Sequence, residues 1–220
     1  MIFSIASRAK AYSHARAKVL ADVWNHPLNR GSKWHAIRDY VLWNAVRFTM
    51  DARHVVRLPD GVEIIVGPKD QLGTGVYVHF LPDFAEMLVL AHLLQPGDLF
   101  ADVGANVGMY SVWVSRVTSA KVIALEPVPS TYETLRQNVR LNNLEALIEP
   151  LRTAAGDISG EVLMSSEMAG SNHILPENVE GAIQTPIARV DDILAGRCPS
   201  AMKIDVEGFE LQALRGAVFI

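Results

Sequence analysis

A single cysteine, Cys198, in 220 residues excludes a disulfide framework and any zinc site built from several thiolates. No apolar run approaches the ~18 residues of a membrane-spanning helix. Arg8 and Lys10 interrupt the apolar stretch that begins at Met1, so the N-terminus lacks a signal-peptide core. None of the seven histidines forms an H-x-H or H-E-x-x-H pair, which removes the usual zinc-hydrolase pattern. G-K-[ST] is absent, and a P-loop with it. There is no internal repeat and no low-complexity tract. These absences leave a soluble cytoplasmic protein as the simplest expectation. Half of the residues are hydrophobic and a fifth are charged, enough apolar material for a sizeable core.

The net charge of −4 is unevenly spread. Residues 1–60 hold ten lysines and arginines against four acids, so the remainder is strongly acidic. A basic arm for an anionic partner is one reading; dispersed charges on a solvated helical extension are the plainer one.

Three regions follow from the patterning. Residues 1–53 read as a helical extension, with Ile5, Ala9, Tyr12, Val19 and Val23 on one helical face and Trp34, Ile37, Val41 and Leu42 on the inner face of a second helix. Residues 54–82 read as a β-rich lead-in: "HVVRLPDGVEIIV" makes two strands around Pro59-Asp60-Gly61, and "GTGVYVHF" a third. From residue 83 to 220 helices and strands alternate. Asp83 with Glu86, and Ser130 with Glu133, have capping-box spacing. "LFADVG", "KVIALE", "LIEPLRTAAG" and "AMKIDVEG" read as buried strands, "EVLMSS" and "TPIARV" as weaker ones. Repeated βα units of this kind predict an α/β fold with a doubly wound parallel sheet.

In such sheets ligands bind at the carboxyl ends of the strands. There the chain reads Asp102-Val103-Gly104-Ala105-Asn106-Val107-Gly108, and Glu126 ends the next strand 22 residues after Gly104. Gly104 permits a tight turn, Gly108 a close helix–strand contact, and Glu126 offers a carboxylate to a ribose diol. A glycine turn with an incidental surface acid is the plainer alternative. Asn106 replaces the second glycine that a dinucleotide's pyrophosphate requires, and no lysine or arginine lies between residues 100 and 115. An acid without a base suits a sulfonium and an ammonium better than phosphates, which points to S-adenosylmethionine.

Taken together, D-V-G-A-N-V-G, E-P after the second strand, "LRQNVRLNN", "AAGD" and K-I-D-V-E-G-F-E resemble the FkbM-type S-adenosylmethionine-dependent methyltransferases, over roughly residues 83–217. The resemblance implies a Rossmann-like class I methyltransferase fold and O-methylation of a sugar, glycolipid or polyketide-type hydroxyl. It implies that Asp102, Gly104, Ala105, Asn106 and Gly108 line the methionine and ribose part of the cofactor, that Glu126 holds the ribose hydroxyls, and that Asp157 meets the adenine. The family fold continues with further strands, including an antiparallel pair, whereas this chain stops at Ile220. The expectation is therefore a C-terminally truncated sheet with an open fourth-strand edge, which a homo-oligomer can cover.

Lys203, Asp205 and Glu207 stand at i, i+2 and i+4, on one face if the strand stays regular. Three ionisable residues in a central strand point to a site. The carboxylates can bind an acceptor hydroxyl and take its proton, or hold a divalent ion; no ligand pattern supports the metal. A structural lysine–carboxylate network and a solvent-facing Glu207 are the plainer readings. His173, in "GSNHIL", is a further candidate base or a surface loop residue. His92 reads as structural, and Cys198 as a partly buried loop thiol. The partner expected is a small-molecule or glycan acceptor rather than nucleic acid. A non-catalytic nucleoside-binding scaffold and a nicotinamide-dependent oxidoreductase are the competing classes; nucleic-acid methylation is weaker, with an acidic main domain and no N-P-P-Y-like motif.

Overall fold

The computed structural model describes residues 18–49, 53–67, 75–76, 81, 83–165, 174–175 and 182–219. The chain divides into two compact units, Met1–Arg53 with Gly67–Phe84, and His54–Val66 with Ala85–Ile220. The hairpin after residue 53 thus belongs with the α/β unit, and the residues following it belong with the first.

In the first unit, helical backbone over 18–25 leads through a 3-10 turn at Pro27–Asn29 into α1 (Lys33–Thr49). Pro27 suits the first position of that turn because its fixed φ matches and its missing N–H costs no bond. Asn29, 1% exposed, donates from Nδ2 to the Val23 carbonyl at 2.9 Å and ties the turn to the helix before it. Val23 and Ala36 then share a small core with Val19, Ile37 and Tyr40. This contact sets the rotation of α1. Its buried residues are Ala36 and Trp43, whereas Trp34, Val41 and Leu42 lie exposed. The inner face expected from the sequence is therefore partly the outer one. The expected strand at "GTGVYVHF" is not there at residues 75–76, which are helical; the rest of it, like Ile5, Ala9 and Tyr12, lies outside the described residues.

The second unit opens with the antiparallel hairpin β1 (His54–Arg57) and β2 (Glu63–Val66), in register from His54 opposite Val66 to Arg57 opposite Glu63. Its turn has Asp60 and Gly61 at positive φ, with the Leu58 N–H bonded to the Val62 carbonyl at 2.7 Å. Helix α2 (Phe84–Leu93) precedes β3 (Leu99–Val103). Then come α3 (Met109–Thr118), β4 (Lys121–Leu125), α4 (Pro129–Leu141) and β5 (Ile148–Leu151). The α4 start differs from the expected capping box. Val128 is the N-cap with no side-chain cap, and Pro129 takes the first helical position, so Glu133 pairs instead with Arg136 and Gln137.

"LIEPLRTAAG" is two strands, not one. β5 joins the parallel sheet, and after Arg152 and Thr153 the chain re-forms as β6 (Ala154–Gly156) in a second sheet. That sheet adds β7 (Gly160–Met164), β8 (Ile174–Leu175) and β9 (Ile183–Arg189), in the order β6-β9-β7-β8. Only β6 and β9 run parallel, so the architecture is mixed rather than wholly parallel. Helix α5 (Val190–Leu194), β10 (Ala201–Ile204) and α6 (Glu210–Arg215) complete the described chain.

The parallel sheet has the order β10-β3-β4-β5. Its central strands are apolar on both faces: Phe100, Val103, Val122, Ala124 and Leu125 are all at most 2% exposed. Ala155, Val190, Leu194 and Ala213 close one side of it. Gly216 caps α6 at φ −84°, not in the left-handed form that a helix-ending glycine usually adopts. What requires glycine here is packing: a Cβ would sit 1.9 Å from the Gly156 carbonyl oxygen. The strand order reverses at β3, and in open α/β sheets ligands bind beyond the carboxyl ends of the strands at such a switch point, here those of β3 and β10.

Candidate active site

The loop after β3 is built by close approach. Gly104 has φ +81°, and a Cβ on it would lie 1.9 Å from the Asp205 carbonyl oxygen. The Asp205 N–H donates to the Val103 carbonyl at 3.0 Å, so the end of β10 rests directly on the start of the loop. The N–H groups of Gly104 and Ala105 both donate to the Leu125 carbonyl, at 3.0 and 2.8 Å. Gly108, at φ +86°, starts α3 where a Cβ would meet the Leu135 side chain at 2.4 Å. Asn106 takes positive φ, which asparagine tolerates better than most residues. Its Oδ1 accepts the Val107 N–H at 2.8 Å, so the side chain folds onto its own loop.

Glu126 follows β4 and is 6% exposed. Its Oε2 accepts the Asn106 N–H at 2.9 Å and its Oε1 the Val128 N–H at 3.0 Å. The carboxylate is thus held by the glycine loop on one side and the α4 entry on the other. A carboxylate has about four lone-pair sites, so two remain for a diol. Burial pushes its pKa up to about 7, against the two backbone donors that favour the charge.

That shift has a signed consequence. Between the ordinary value of 4.5 and about 7, the folded protein binds more protons at Glu126 than the unfolded chain does. Stability therefore falls as pH rises through this window, by on the order of 3 kcal/mol for a shift of this size, and is not regained above it. Glu126→Gln removes this contribution. Denaturant unfolding of the ligand-free protein should show a flatter pH 4.5–7 profile for the variant than for the wild type; parallel profiles would contradict the assignment.

Asp102 ends β3 fully buried. Its Oδ2 accepts the Ser111 hydroxyl at 2.6 Å, and its Oδ1 has no hydrogen-bond partner. Burial pushes its pKa up, and Lys203 opposes this. The Lys203 Nζ lies 3.7 Å from Asp102 Oδ1 and 3.3 Å from Asp205 Oδ2. It donates to the Gly104 carbonyl at 3.3 Å and stands 5.1 Å from the centre of the Tyr110 ring. One ammonium thus ties the buried acid, the glycine loop and the β10 carboxylate together.

The i, i+2, i+4 face does not extend to Glu207. β10 ends at Ile204, and the chain turns through Glu207 at φ +50° and Gly208 at φ +93°, which leaves Glu207 exposed. The Glu210 carboxylate accepts the Val206 and Gly208 N–H groups and so holds this turn. Asp205 stays beside Lys203, with its side chain 66% exposed. Asp157 is half-buried and follows β6, in the second sheet, not the third strand of the parallel one. His173 lies outside the described residues. His92 bonds the Leu88 carbonyl through Nδ1 at 2.7 Å, and Cys198 is exposed rather than partly buried. Among the described residues no three His, Cys, Asp or Glu side chains are grouped to hold a metal ion.

Asn138 carries a part that sequence reasoning missed. It is fully buried in α4; Oδ1 accepts the Ile65 N–H at 2.8 Å and Nδ2 donates to the Val107 carbonyl at 2.8 Å. One turn on, Asn142 makes the matching pair of bonds to the Glu63 N–H and carbonyl, at 2.9 and 2.7 Å. The helix thus links the outer hairpin to the glycine loop. The available signal was an asparagine on the apolar face between Leu135 and Val139, where an unpaired amide would be costly.

Residues 102–219 match the family model described as the methyltransferase FkbM domain. The chain is 30% identical over 125 residues to the hexuronic acid methyltransferase AglP of Haloferax volcanii, covering 56% of this chain and 51% of that protein. It is 24% identical over 159 residues to methyltransferase sdnD of Sordaria araneosa, covering 56% and 61%. The chain therefore spans about half to three fifths of these relatives' length. Of solved structures, Pyrococcus horikoshii TYW2 in complex with MeSAdo overlaps 50% of this chain and 40% of its own, with 23% identity and a TM-score of 0.41.

Proposed function

This chain belongs to the FkbM methyltransferase domain family, and from that premise we propose that it methylates a hydroxyl oxygen of a sugar, glycolipid or polyketide-type small molecule, with S-adenosylmethionine as donor. The observation that carries the reading is the Glu126 carboxylate, fixed by two backbone donors beside the glycine loop with two acceptor sites to spare. The residues fit the cofactor: Asp102 is a buried acid with one oxygen free of hydrogen bonds and the Lys203 ammonium 3.7 Å from it, and Glu126 is a second buried carboxylate.

When bound, S-adenosylmethionine supplies an electrophilic methyl on a sulfonium. Glu126 would accept from the ribose hydroxyls, and Asp102 would provide negative potential for the ammonium. Ionised Glu126 is the form that accepts two donors, so nucleoside affinity rises as pH increases through about 7. The main-chain turn from Gly104 to Gly108 would line the same part of the cofactor. Asp205 would orient the acceptor hydroxyl and take its proton at a carboxylate oxygen, while Lys203 holds that carboxylate in place. Asp157 is retained as the residue for the adenine amino group.

The acceptor class rests on the hexuronic acid methyltransferase relative and on the charge of the site. The unit with the glycine loop carries ten lysines and arginines against nineteen acids, a net −9 that repels a polyphosphate. The test is transfer of an isotopically labelled methyl to a panel of neutral sugars, uronic acids, polyketide alcohols and RNA, read by mass spectrometry. Label on a hydroxyl oxygen of a small molecule supports the reading. Label on RNA alone, or cofactor binding with no transfer to any acceptor, counts against it.

A further inference from the structure

The outer face of α1 is unusual for a helix in water. Trp34 is 75% exposed, Val41 57% and Leu42 50%. At helical spacing they share one face with His35, Arg38 and Ala45, all exposed. The opposite face already has its partners, since Ala36 and Trp43 are buried. The exposed stripe is therefore a second apolar face, opposite the one that packs.

Around it the chemistry is aromatic and basic. Trp34 meets Trp24 edge-on, with ring centroids 5.1 Å apart, and the Lys33 Nζ lies 5.0 Å from the Trp24 ring centre. Arg38, one turn along from Trp34, bonds Asp39 at 2.7 Å and keeps 61% of its side chain exposed. The unit that holds α1 carries ten lysines and arginines against five acids, a net +5, while the other unit is −9. No helix of the described residues is long and apolar enough to cross a membrane, so the stripe is not a span.

We propose that the outer face of α1 docks on an anionic lipid surface, with Trp34, Val41 and Leu42 entering the headgroup boundary and Lys33 and Arg38 meeting the lipid charge. Tryptophan at that depth keeps its ring in the apolar layer and its N–H at the polar one. Each basic residue near the surface strengthens partitioning about fivefold, and the apolar side chains add to it. A nucleic acid is the poorer occupant of the same face, because Val41 and Leu42 offer a phosphate backbone nothing. The surface lies in the unit without the glycine loop, so the inference does not rest on the methyltransferase reading.

The test uses the 220-residue chain with vesicles of phosphatidylcholine alone and of phosphatidylcholine mixed with phosphatidylglycerol, at low ionic strength. The expected result is co-sedimentation with the anionic vesicles only, weakened by salt, with a blue shift of tryptophan emission. Val41→Asp with Leu42→Asp should reduce binding at least about tenfold; both positions are exposed, so the variant keeps its thermal transition and its affinity for S-adenosylhomocysteine. Failure to bind anionic vesicles, or equal binding by the double variant, overturns the proposal. A concentration-dependent dimer that the same variant abolishes also overturns it, in favour of a second copy of the chain.

Discussion

Asp205→Asn lowers methyl-transfer turnover by about 10²–10⁴-fold, the range that a positioned general base contributes, and leaves cofactor affinity within a few-fold. The asymmetry follows from where Asp205 stands. It lies just past β10, with its side chain largely exposed beside Lys203. Asparagine keeps the shape but cannot take a proton. Its pair with Lys203 is an exposed one, worth at most about 1 kcal/mol, so losing it does not unfold the protein. Lys203 retains Asp102 and the Gly104 carbonyl. Glu207→Gln is the control: that residue sits in the turn beyond the strand, and its change should move turnover only a few-fold. Steady-state kinetics of both variants decide between them. Unchanged turnover in Asp205→Asn would place the base elsewhere.

Gly104→Ala destabilises the fold by about 2–5 kcal/mol and abolishes cofactor binding. A non-glycine residue at φ +81° costs roughly 1–2 kcal/mol. Forcing a methyl group against a packed neighbour costs about 1–3 kcal/mol more. The neighbour here is the Asp205 carbonyl, 1.9 Å from the added Cβ, with the carbonyl carbon at 2.8 Å. Backbone cannot swing aside as a flexible side chain does, so β10 must shift from β3. Gly61→Ala separates the two contributions. Gly61 has φ +74° but nothing within 4 Å, so only the conformational part applies there. Urea denaturation should place Gly104→Ala well below Gly61→Ala. Equal losses would mean that the contact between the loop and β10 is not as close as described.

The loop after β3 was legible in sequence because its physics is local. A glycine turn, a buried strand on either side and an acid at the end of the second strand all lie within 28 residues, and the structure brings Gly104, Asn106 and Glu126 together. The stretch after β10 was less so. Whether β10 ran on through Glu207 depended on where the chain left the sheet, and the Glu210 carboxylate that draws Val206 and Gly208 into a turn acts from the following helix. The break at Arg152–Thr153 was equally hidden, since β6 finds its partner in β9, some thirty residues along. Gly216 showed the same limit: its sequence context marks a helix end, but the constraint on it is the Gly156 carbonyl from another element. In α1, periodicity marked Trp34, Ile37, Val41 and Leu42 as one inner face and could not say which side Val23 would cover.

We propose that the carboxyl ends of β3 and β4 form an S-adenosylmethionine site held by Glu126. Calorimetric titration of the purified chain with S-adenosylmethionine, S-adenosylhomocysteine and NAD tests it most directly, alongside Glu126→Ala. The predicted result is binding of the first two with dissociation constants of about 1–100 μM, or roughly −5 to −8 kcal/mol, no heat from NAD, and loss of binding in the variant. A folded protein that binds neither sulfur nucleoside, binds NAD alone, or binds equally well with alanine at position 126 would contradict it.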